Sequence, residues 1–188
     1  QALKEWAPQE VEYYKQHYVA ASKGNYDIYV VFVEKGLSLL NPKGRLGFIL
    51  PHKFFNAQYG QPLRGLIAQG RHLAKVVHFG DQQVFENATT YTCLMFLEKT
   101  EQKEFTFEKV GNLFSWKNGE AKIIRNIAST IVDNNDWNFE INGNNGLFEK
   151  LLSQPLRLRD ISEKIFQGLV TSCDSVYFLD PIGVEENG

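Results

Sequence analysis

Residues 24–51 read GNYDIYVVFVEKGLSLLNPKGRLGFILP, and this stretch predicts a helix, a turn and a strand. Within residues 26–40, apolar side chains recur at spacings of three and four, which is typical of a helix with one buried face. The predicted buried face consists of Ile28, Val31, Phe32, Gly36, Leu39 and Leu40. Residues 41–44, Asn-Pro-Lys-Gly, predict a turn. Residues 45–50 are almost wholly apolar, as in a parallel strand covered on both faces, and Pro51 ends them.

The flanking sequence continues this alternation of helix and strand. Helices are predicted at 9–21 and 59–69, buried strands at 73–79 and 91–98, and an edge strand at 104–110. Such alternation with short connections indicates a layered α/β domain. Because a helix joins 45–50 to 73–79, these two strands are predicted to be parallel. No helical pattern separates 73–79 from 91–98, so these two are predicted to be antiparallel.

The character of the sequence changes after residue 110. Residues 111–146 are rich in Asn and Gly, and they are predicted to be a linker with some local structure. Residues 147–188 are predicted to begin a second domain, with a helix at 147–153 and a strand at 176–179. Residues 1–110 form the first predicted domain.

The composition is that of a soluble globular protein, with 43% hydrophobic and 22% charged residues. No run approaches the roughly 18 to 20 apolar residues of a membrane span. The N-terminus is not a signal peptide, and it lacks Met, which suggests an excised segment. A net charge of −2 argues against a dedicated nucleic-acid-coating module. Two cysteines are predicted to be reduced thiols of a cytoplasmic protein, and the four scattered histidines predict no metal site.

Two segments carry a resemblance to a known family. Residues 24–51 have the pattern Tyr-Asp-x-Tyr-x-x-Phe, a helix ending Leu-Leu, a Gly turn and a strand closing on Pro. Residues 79–99, FGDQQVFENATTYTCLMFLEK, contain a Gly-x-x-x-Val-Phe loop and a strand. Both resemble the gamma-class N6-adenine DNA methyltransferases with an Asn-Pro-Pro-Tyr motif, found in type II and type IIG restriction-modification proteins with a TaqI-like specificity domain. The resemblance is close over 1–110 and weak over 111–146.

The resemblance implies the C-terminal half of a Rossmann-like class I methyltransferase sheet, mixed and three-layered, followed by the start of a specificity domain. It places strand 91–98 between 45–50 and 73–79. The family's glycine-rich loop for S-adenosylmethionine and its Asn-Pro-Pro-Tyr motif do not occur in the sequence. The chain is therefore expected to lie downstream of the catalytic motif, to hold no catalytic residue and to be inactive alone. It is also expected to self-associate through an exposed sheet edge beside 45–50.

The activity implied for the parent protein is transfer of a methyl group from S-adenosylmethionine to N6 of an adenine flipped out of double-stranded DNA. Whether an endonuclease is fused to the methyltransferase stays open. One alternative is a non-catalytic DNA-recognition or scaffold subunit with the same fold. Another is a methyltransferase that acts on RNA or protein.

Three residues are candidates for the site. For Phe32, periodicity favours a core aromatic, whereas the resemblance implies contact with the adenine ring of the cofactor. Phe85 lies in a polar loop; its pattern favours a plug over the sheet, and the resemblance implies a wall for the flipped adenine. Pro51, at the carboxyl end of its strand, is assigned to the cofactor-pocket wall. His52 and Lys53 are predicted to lie in a solvated loop, with phosphate contact as the alternative.

Charged residues elsewhere favour structural roles. Asp27, in the first turn of the predicted helix, is predicted to act through capping and the helix dipole. Arg157, Arg159 and Lys164 alternate with acidic residues and are predicted to form an ordinary charged surface, with phosphate contact as the alternative.

Overall fold

The computed structural model describes residues 7–86, 90–120, 122–139, 150, 153–156 and 158–164. Proximity of Cα atoms divides the chain into two compact units, residues 1–140 and residues 141–188.

The first unit contains helices α1 (Pro8–His17), α2 (Tyr29–Leu39), α3 (Gln61–Gln69) and α4 (Leu113–Lys117). Its strands are β1 (Arg45–Pro51), β2 (Leu73–His78), β3 (Thr92–Glu98), β4 (Glu104–Val110) and β5 (Lys122–Ala128). Short 3-10 turns occur at Val19–Ala21, His52–Phe55, Gln58–Gly60 and Ser129–Ile131. The predicted bounds of the first four strands agree with β1 to β4 within one residue.

The strands form one mixed sheet in the order β1-β3-β2-β4-β5. Strand β3 runs antiparallel to both β1 and β2, so β1 and β2 are parallel to each other. Strand β2 is parallel to β4, and β5 is antiparallel to β4. The predicted α/β fold and the predicted position of strand 91–98 between its two neighbours are confirmed.

Strand β4 was predicted to be an edge strand, and this prediction is wrong. It lies between β2 and β5, and all seven of its residues pair with β5. The alternating charges suggested a solvated face, but Glu108 is buried and binds Lys75 of β2 at 2.8 Å. A charge that has a partner inside the fold does not mark an edge.

Residues 111–146, predicted to be a linker, contribute to the first unit wherever they are described. They supply α4, β5 and two buried aromatic residues, Trp137 and Phe139. The predicted start of the second domain stays a prediction, because residues 140–149 lie outside the described part.

The pairing register assigns alternate side chains to two faces of the sheet. Face A carries Ile49, Leu94 and Val77, and face B carries Phe48, Met95 and Val76. Helix α2 packs on face B, where a Cβ atom on Gly36 would lie 2.9 Å from the side chain of Leu46. Helix α4 lies on face A, where Trp116 packs against a buried cluster formed by Val77, Phe79 and Val110. Helices therefore lie against both faces, as a layered α/β fold requires.

Helix α2 buries only part of the face that its spacing predicted, since Val31 is buried and Gly36 contacts β1. Its buried residues are Val30, Val31, Val33 and Leu37, whereas Phe32 and Leu39 are 58% and 72% exposed. The helix is apolar on nearly all sides, so spacing alone cannot select the packed side. Contact with β1 through Gly36 selects it instead.

The described part of the second unit contains one short helix, α5 (Leu158–Ile161). The predicted strand at 176–179 and most of the predicted helix at 147–153 lie outside the described residues, as does Arg157. Among the described helices, none combines the length and apolar character that crossing a membrane demands.

Candidate functional site

The candidate site lies where the parallel strands β1, β2 and β4 end, at Pro51, His78 and Val110. We call this side of the sheet the carboxyl edge. Ligands of open α/β sheets bind at this edge, because loops there can diverge and expose backbone groups. Pro51 pairs with Thr92 of β3 and is half-buried. Its location at the carboxyl edge agrees with the prediction, and its role in a cofactor pocket stays a prediction.

Near its start, the loop that follows β2 contains a glycine whose backbone angle favours that residue. Gly80 has φ of +62°, in the left-handed region that other L-residues adopt at a steric cost. Next, Gln82 fixes the loop to the neighbouring strand and helix. Its Nε2 donates to the Val110 carbonyl at 2.9 Å, and its Oε1 accepts from the Leu113 amide at 2.7 Å. With Val84 packed on the face A cluster, the first half of the loop is anchored on face A.

Phe85 follows this anchored segment and is 48% exposed. The ring therefore lies neither in the core nor fully in solvent. A half-exposed ring on an anchored loop can contact a ligand without disrupting the core. Its assignment to the target base stays a prediction.

Two histidines surround the start of this loop. His52 Nε2 lies 3.3 Å from the Gly80 carbonyl, and the Gly80 amide donates to His78 Nδ1 at 3.1 Å. The two imidazole rings are tilted by 37°, with centroids 4.3 Å apart. The predicted solvated loop is wrong for His52, which is half-buried and bonded, whereas Lys53 is exposed as predicted. Sequence reasoning missed His78, because a histidine at the end of an apolar strand shows nothing of its partner.

A cavity of about 250 Å³ opens beside these histidines, lined by His52, Phe55, Asn56, His78, Phe107, Trp137, Asn138 and Phe139. Trp137 is fixed in its wall, because its backbone amide donates to the Phe55 carbonyl at 2.9 Å and its indole donates to the Asp133 carbonyl at 2.8 Å. The segment 137–139 was missed because it had been assigned to the linker. The pair Trp137 and Phe139, two residues apart, was the available signal.

Phe32 lies on α2 with its ring largely exposed, as described above. Near the start of this helix, hydrogen bonds join two residues of the family pattern, Asp27 and Tyr29, to Tyr59 of the 3-10 turn Gln58–Gly60. Tyr29 and Tyr59 share a hydrogen bond of 2.9 Å, and Tyr59 donates to Asp27 at 2.8 Å. Burial, together with the Asp27 carboxylate, raises the pKa of Tyr59 to about 12. The predicted capping role of Asp27 is wrong, because α2 has no side-chain cap. Asp27 accepts a hydrogen bond from Tyr59 instead.

The described residues contain no group of three or more His, Cys, Asp or Glu that could hold a metal ion. The free thiol of Cys93 is buried in β3, and burial raises its pKa to about 12. That thiol is therefore a core group with little thiolate at neutral pH. The chemistry of the site depends on aromatic, imidazole and backbone groups in the described chain.

The mixed sheet and the loops at its carboxyl edge define an α/β protein, and comparison with known proteins shows what the chain is similar to. Residues 1–85 match the family described as Eco57I restriction-modification methylase. The matched segment is less than half of the 188-residue chain.

The wider chain is similar to restriction-modification proteins. It is 33% identical over 192 residues to the "Type II restriction enzyme and methyltransferase RM.Eco57I" of Escherichia coli, covering 99% of this chain and 19% of that protein. It is 36% identical over 78 residues to "Type II methyltransferase M.XhoI" of Xanthomonas vasicola, covering 41% of this chain and 14% of that protein. The chain thus spans less than a fifth of the length of these relatives and is homologous to part of each.

One solved structure, the type IIG restriction endonuclease BpuSI, superposes with a TM-score of 0.49 at 12% identity. It covers 70% of this chain and 18% of the BpuSI chain.

Proposed function

We propose that the protein to which this chain belongs transfers a methyl group from S-adenosylmethionine to N6 of adenine in a specific duplex DNA site. The observation that carries this proposal is the 33% identity to a restriction enzyme and methyltransferase along 99% of the chain. The protein would then modify DNA within a restriction-modification system.

S-adenosylmethionine would supply the methyl group as an electrophile. Among the described residues, Phe32 suits contact with its adenine ring, because 58% of the side chain is exposed and a flat aromatic face favours stacking. Pro51 would form a rigid wall, since its ring fixes φ near −65°. One aromatic contact contributes only about 0.5–1.5 kcal/mol beyond area burial. The chain alone would therefore bind the cofactor weakly.

Phe85 would hold the target base. An enzyme that modifies a base must take it out of the stack, which costs a few kcal/mol. A base–aromatic contact recovers about 1–3 kcal/mol. The ring of Phe85 is half-exposed on a loop at the carboxyl edge, and this accessibility supports the proposed contact. Adenine as the target rests on the resemblance to the gamma-class enzymes.

The test is to incubate the full-length protein with tritiated S-adenosylmethionine and separate acceptors. Duplex DNA, RNA and protein are supplied in parallel, and incorporated label is counted. We expect label in duplex DNA. Label in RNA or protein instead would contradict the DNA assignment. DNA binding without any incorporation would favour the alternative, a DNA-recognition or scaffold subunit.

A further inference from the structure

We propose that His52 and His78 are positioning residues that hold the base of the Phe85 loop by binding one glycine from both sides. The role given to the loop rests on the proposed function, whereas the contacts themselves do not. We call the three residues His52, Gly80 and His78 the glycine clamp.

Both polar groups of Gly80 are engaged by imidazole rings. Its carbonyl lies 3.3 Å from His52 Nε2, and its amide lies 3.1 Å from His78 Nδ1. The φ of +62° turns the chain sharply at this residue. A side chain at position 80 would meet no atom within 4 Å, so the need for glycine comes from the backbone angle.

These contacts determine which nitrogen of each neutral ring carries the proton. A carbonyl oxygen can only accept, so His52 Nε2 must be the donor. An amide can only donate, so His78 Nδ1 must be the unprotonated acceptor, which leaves the proton on Nε2. The two rings thus act in complementary roles on one residue.

His52 also binds the other end of the loop. Its backbone amide donates to the Tyr91 carbonyl at 3.2 Å, and its ring stacks beside Tyr91 with an interplanar angle of 13°. His52, directly after β1, therefore contacts both Gly80 and Tyr91. Gln82 anchors the loop to face A, and its backbone amide donates to the Phe79 carbonyl at 3.1 Å, so the glycine clamp acts together with this turn where the chain leaves β2.

The consequence concerns Phe85. A wall for an extruded base helps most if it is in place before the base arrives, because ordering it afterwards would reduce the binding gain. The glycine clamp would supply this order by holding Gly80 in place.

The experiment pairs a disruptive and a conservative substitution at each histidine. His52→Leu and His78→Leu remove the contacts. His52→Gln keeps an N–H donor at the position of Nε2, and His78→Asn keeps an acceptor at the position of Nδ1. His72→Leu is the matched control, because His72 lies at the opposite side of the sheet and binds the Glu98 carbonyl.

The first measurement is amide hydrogen exchange at Gly80 and along residues 80–86 in the chain, with melting temperature recorded for each variant. Loss of one hydrogen bond should speed exchange roughly 3- to 10-fold in the Leu variants. Exchange should be close to wild type in His52→Gln, His78→Asn and His72→Leu. Unchanged exchange in both Leu variants, or equal acceleration in His72→Leu, would overturn the glycine clamp.

The second measurement is methyl transfer by the full-length protein. We expect the Leu variants to lower kcat with little change in KM for S-adenosylmethionine, and the conservative variants to restore kcat. Altered exchange with wild-type kcat would overturn the positioning role. If exchange is altered in the Leu variants but the wild-type protein methylates nothing, the glycine clamp stands and the proposed function is contradicted instead.

Discussion

Phe85 differs from the core phenylalanines of this chain in its surroundings. Phe54, Phe105 and Phe107 are at most 2% exposed, whereas Phe85 is 48% exposed on a loop. Its ring can therefore be removed with little loss of packing, which makes a functional role separable from a structural one.

Phe85→Ala in the full-length protein should slow methylation roughly 5- to 150-fold, since about 1–3 kcal/mol of base stacking is lost. The melting temperature should hardly change. Phe85→Trp should keep most of the activity, because any flat aromatic side chain can stack. Phe54→Ala is the control, and it should lose about 3–5 kcal/mol of stability. Full activity in Phe85→Ala, or a large fall in its melting temperature, would make this residue a plug over the sheet.

At this scale the sequence predicts only part of the site. A Phe in a polar loop between two apolar strands is visible in the sequence, and so is Pro51 at the end of a strand. The pairing of His52 with His78 is not visible, because the two residues are far apart in sequence and meet only through the order of the strands. The exposure of Phe32 was missed for a related reason, since an apolar helix does not reveal which side packs.

At the scale of elements, the buried carboxylate of Glu108 joins β4 to β2 and α4. Glu108 binds Lys75 at 2.8 Å and accepts the indole N–H of Trp116 at 2.5 Å. Burial by itself would raise the pKa of Glu108, but the bonds from Lys75 and Trp116 outweigh it and hold the pKa below its ordinary value. The ionised form is thus favoured in the folded protein.

A carboxyl group whose pKa is lowered by folding stabilises the fold above its unfolded pKa, about 4.3 for Glu. This contribution is lost as the pH falls through the lower pKa of the folded state. Glu108→Gln should therefore lower the free energy of unfolding more at pH 6 than at pH 3, as measured by urea denaturation. Glu104→Gln, on the exposed end of the same strand, is the control and should show little pH-dependent difference. An equal effect of Glu108→Gln at both pH values would contradict this assignment.

Arg64 of α3 joins three further segments. Its guanidinium donates to the carbonyls of Phe54, Ala57 and Asn134 at 2.6, 2.9 and 3.2 Å and pairs with Asp136 at 3.0 Å. The side chain is almost fully buried, and it ties the segment before Trp137 to the turn after β1. This contact explains how residues predicted to be a linker come to belong to the first unit.

Arg64→Met should destabilise the chain by about 2–4 kcal/mol, because buried carbonyls lose charged donors that methionine cannot replace. Arg71→Met is the matched control. Arg71 forms an exposed ion pair with Glu101, and such pairs contribute at most about 1 kcal/mol. Similar losses of unfolding free energy in the two variants would show that the Arg64 contacts do not stabilise the fold.

Element types along 8–110 were predictable because apolar periodicity and turn residues agree there. Strand β5 was not, since KIIRNIA exposes most of its side chains and is defined by its pairing with β4. The segment 137–139 was missed for the same reason: its burial depends on Arg64 and Phe55, distant in sequence.

At the scale of the molecule, the two edges of the described sheet differ. Strand β5 carries Lys122 and Arg125, charged residues of the kind that protect an edge from pairing. Strand β1 carries one charged residue, Arg45, and exposes Ile49 at 44% beside Phe96 at 39% on β3. An apolar edge of this kind favours pairing with another strand.

The isolated chain should therefore self-associate as its concentration rises in sedimentation velocity experiments. Ile49→Lys should shift it towards monomer, because a charge on an edge strand opposes pairing. Ile131→Lys is the control, since Ile131 is 66% exposed but lies outside the strands. A wild-type chain that remains monomeric at high concentration would contradict this role of β1.

The most direct test of the account is the identity of the methylated base. DNA treated with the full-length protein and S-adenosylmethionine is digested to nucleosides, which are separated by chromatography and identified by mass spectrometry. The account predicts N6-methyladenine as the product, with the amount reduced in Phe85→Ala. Methylcytosine as the product, or DNA that stays unmodified after incubation with folded full-length protein, would contradict it.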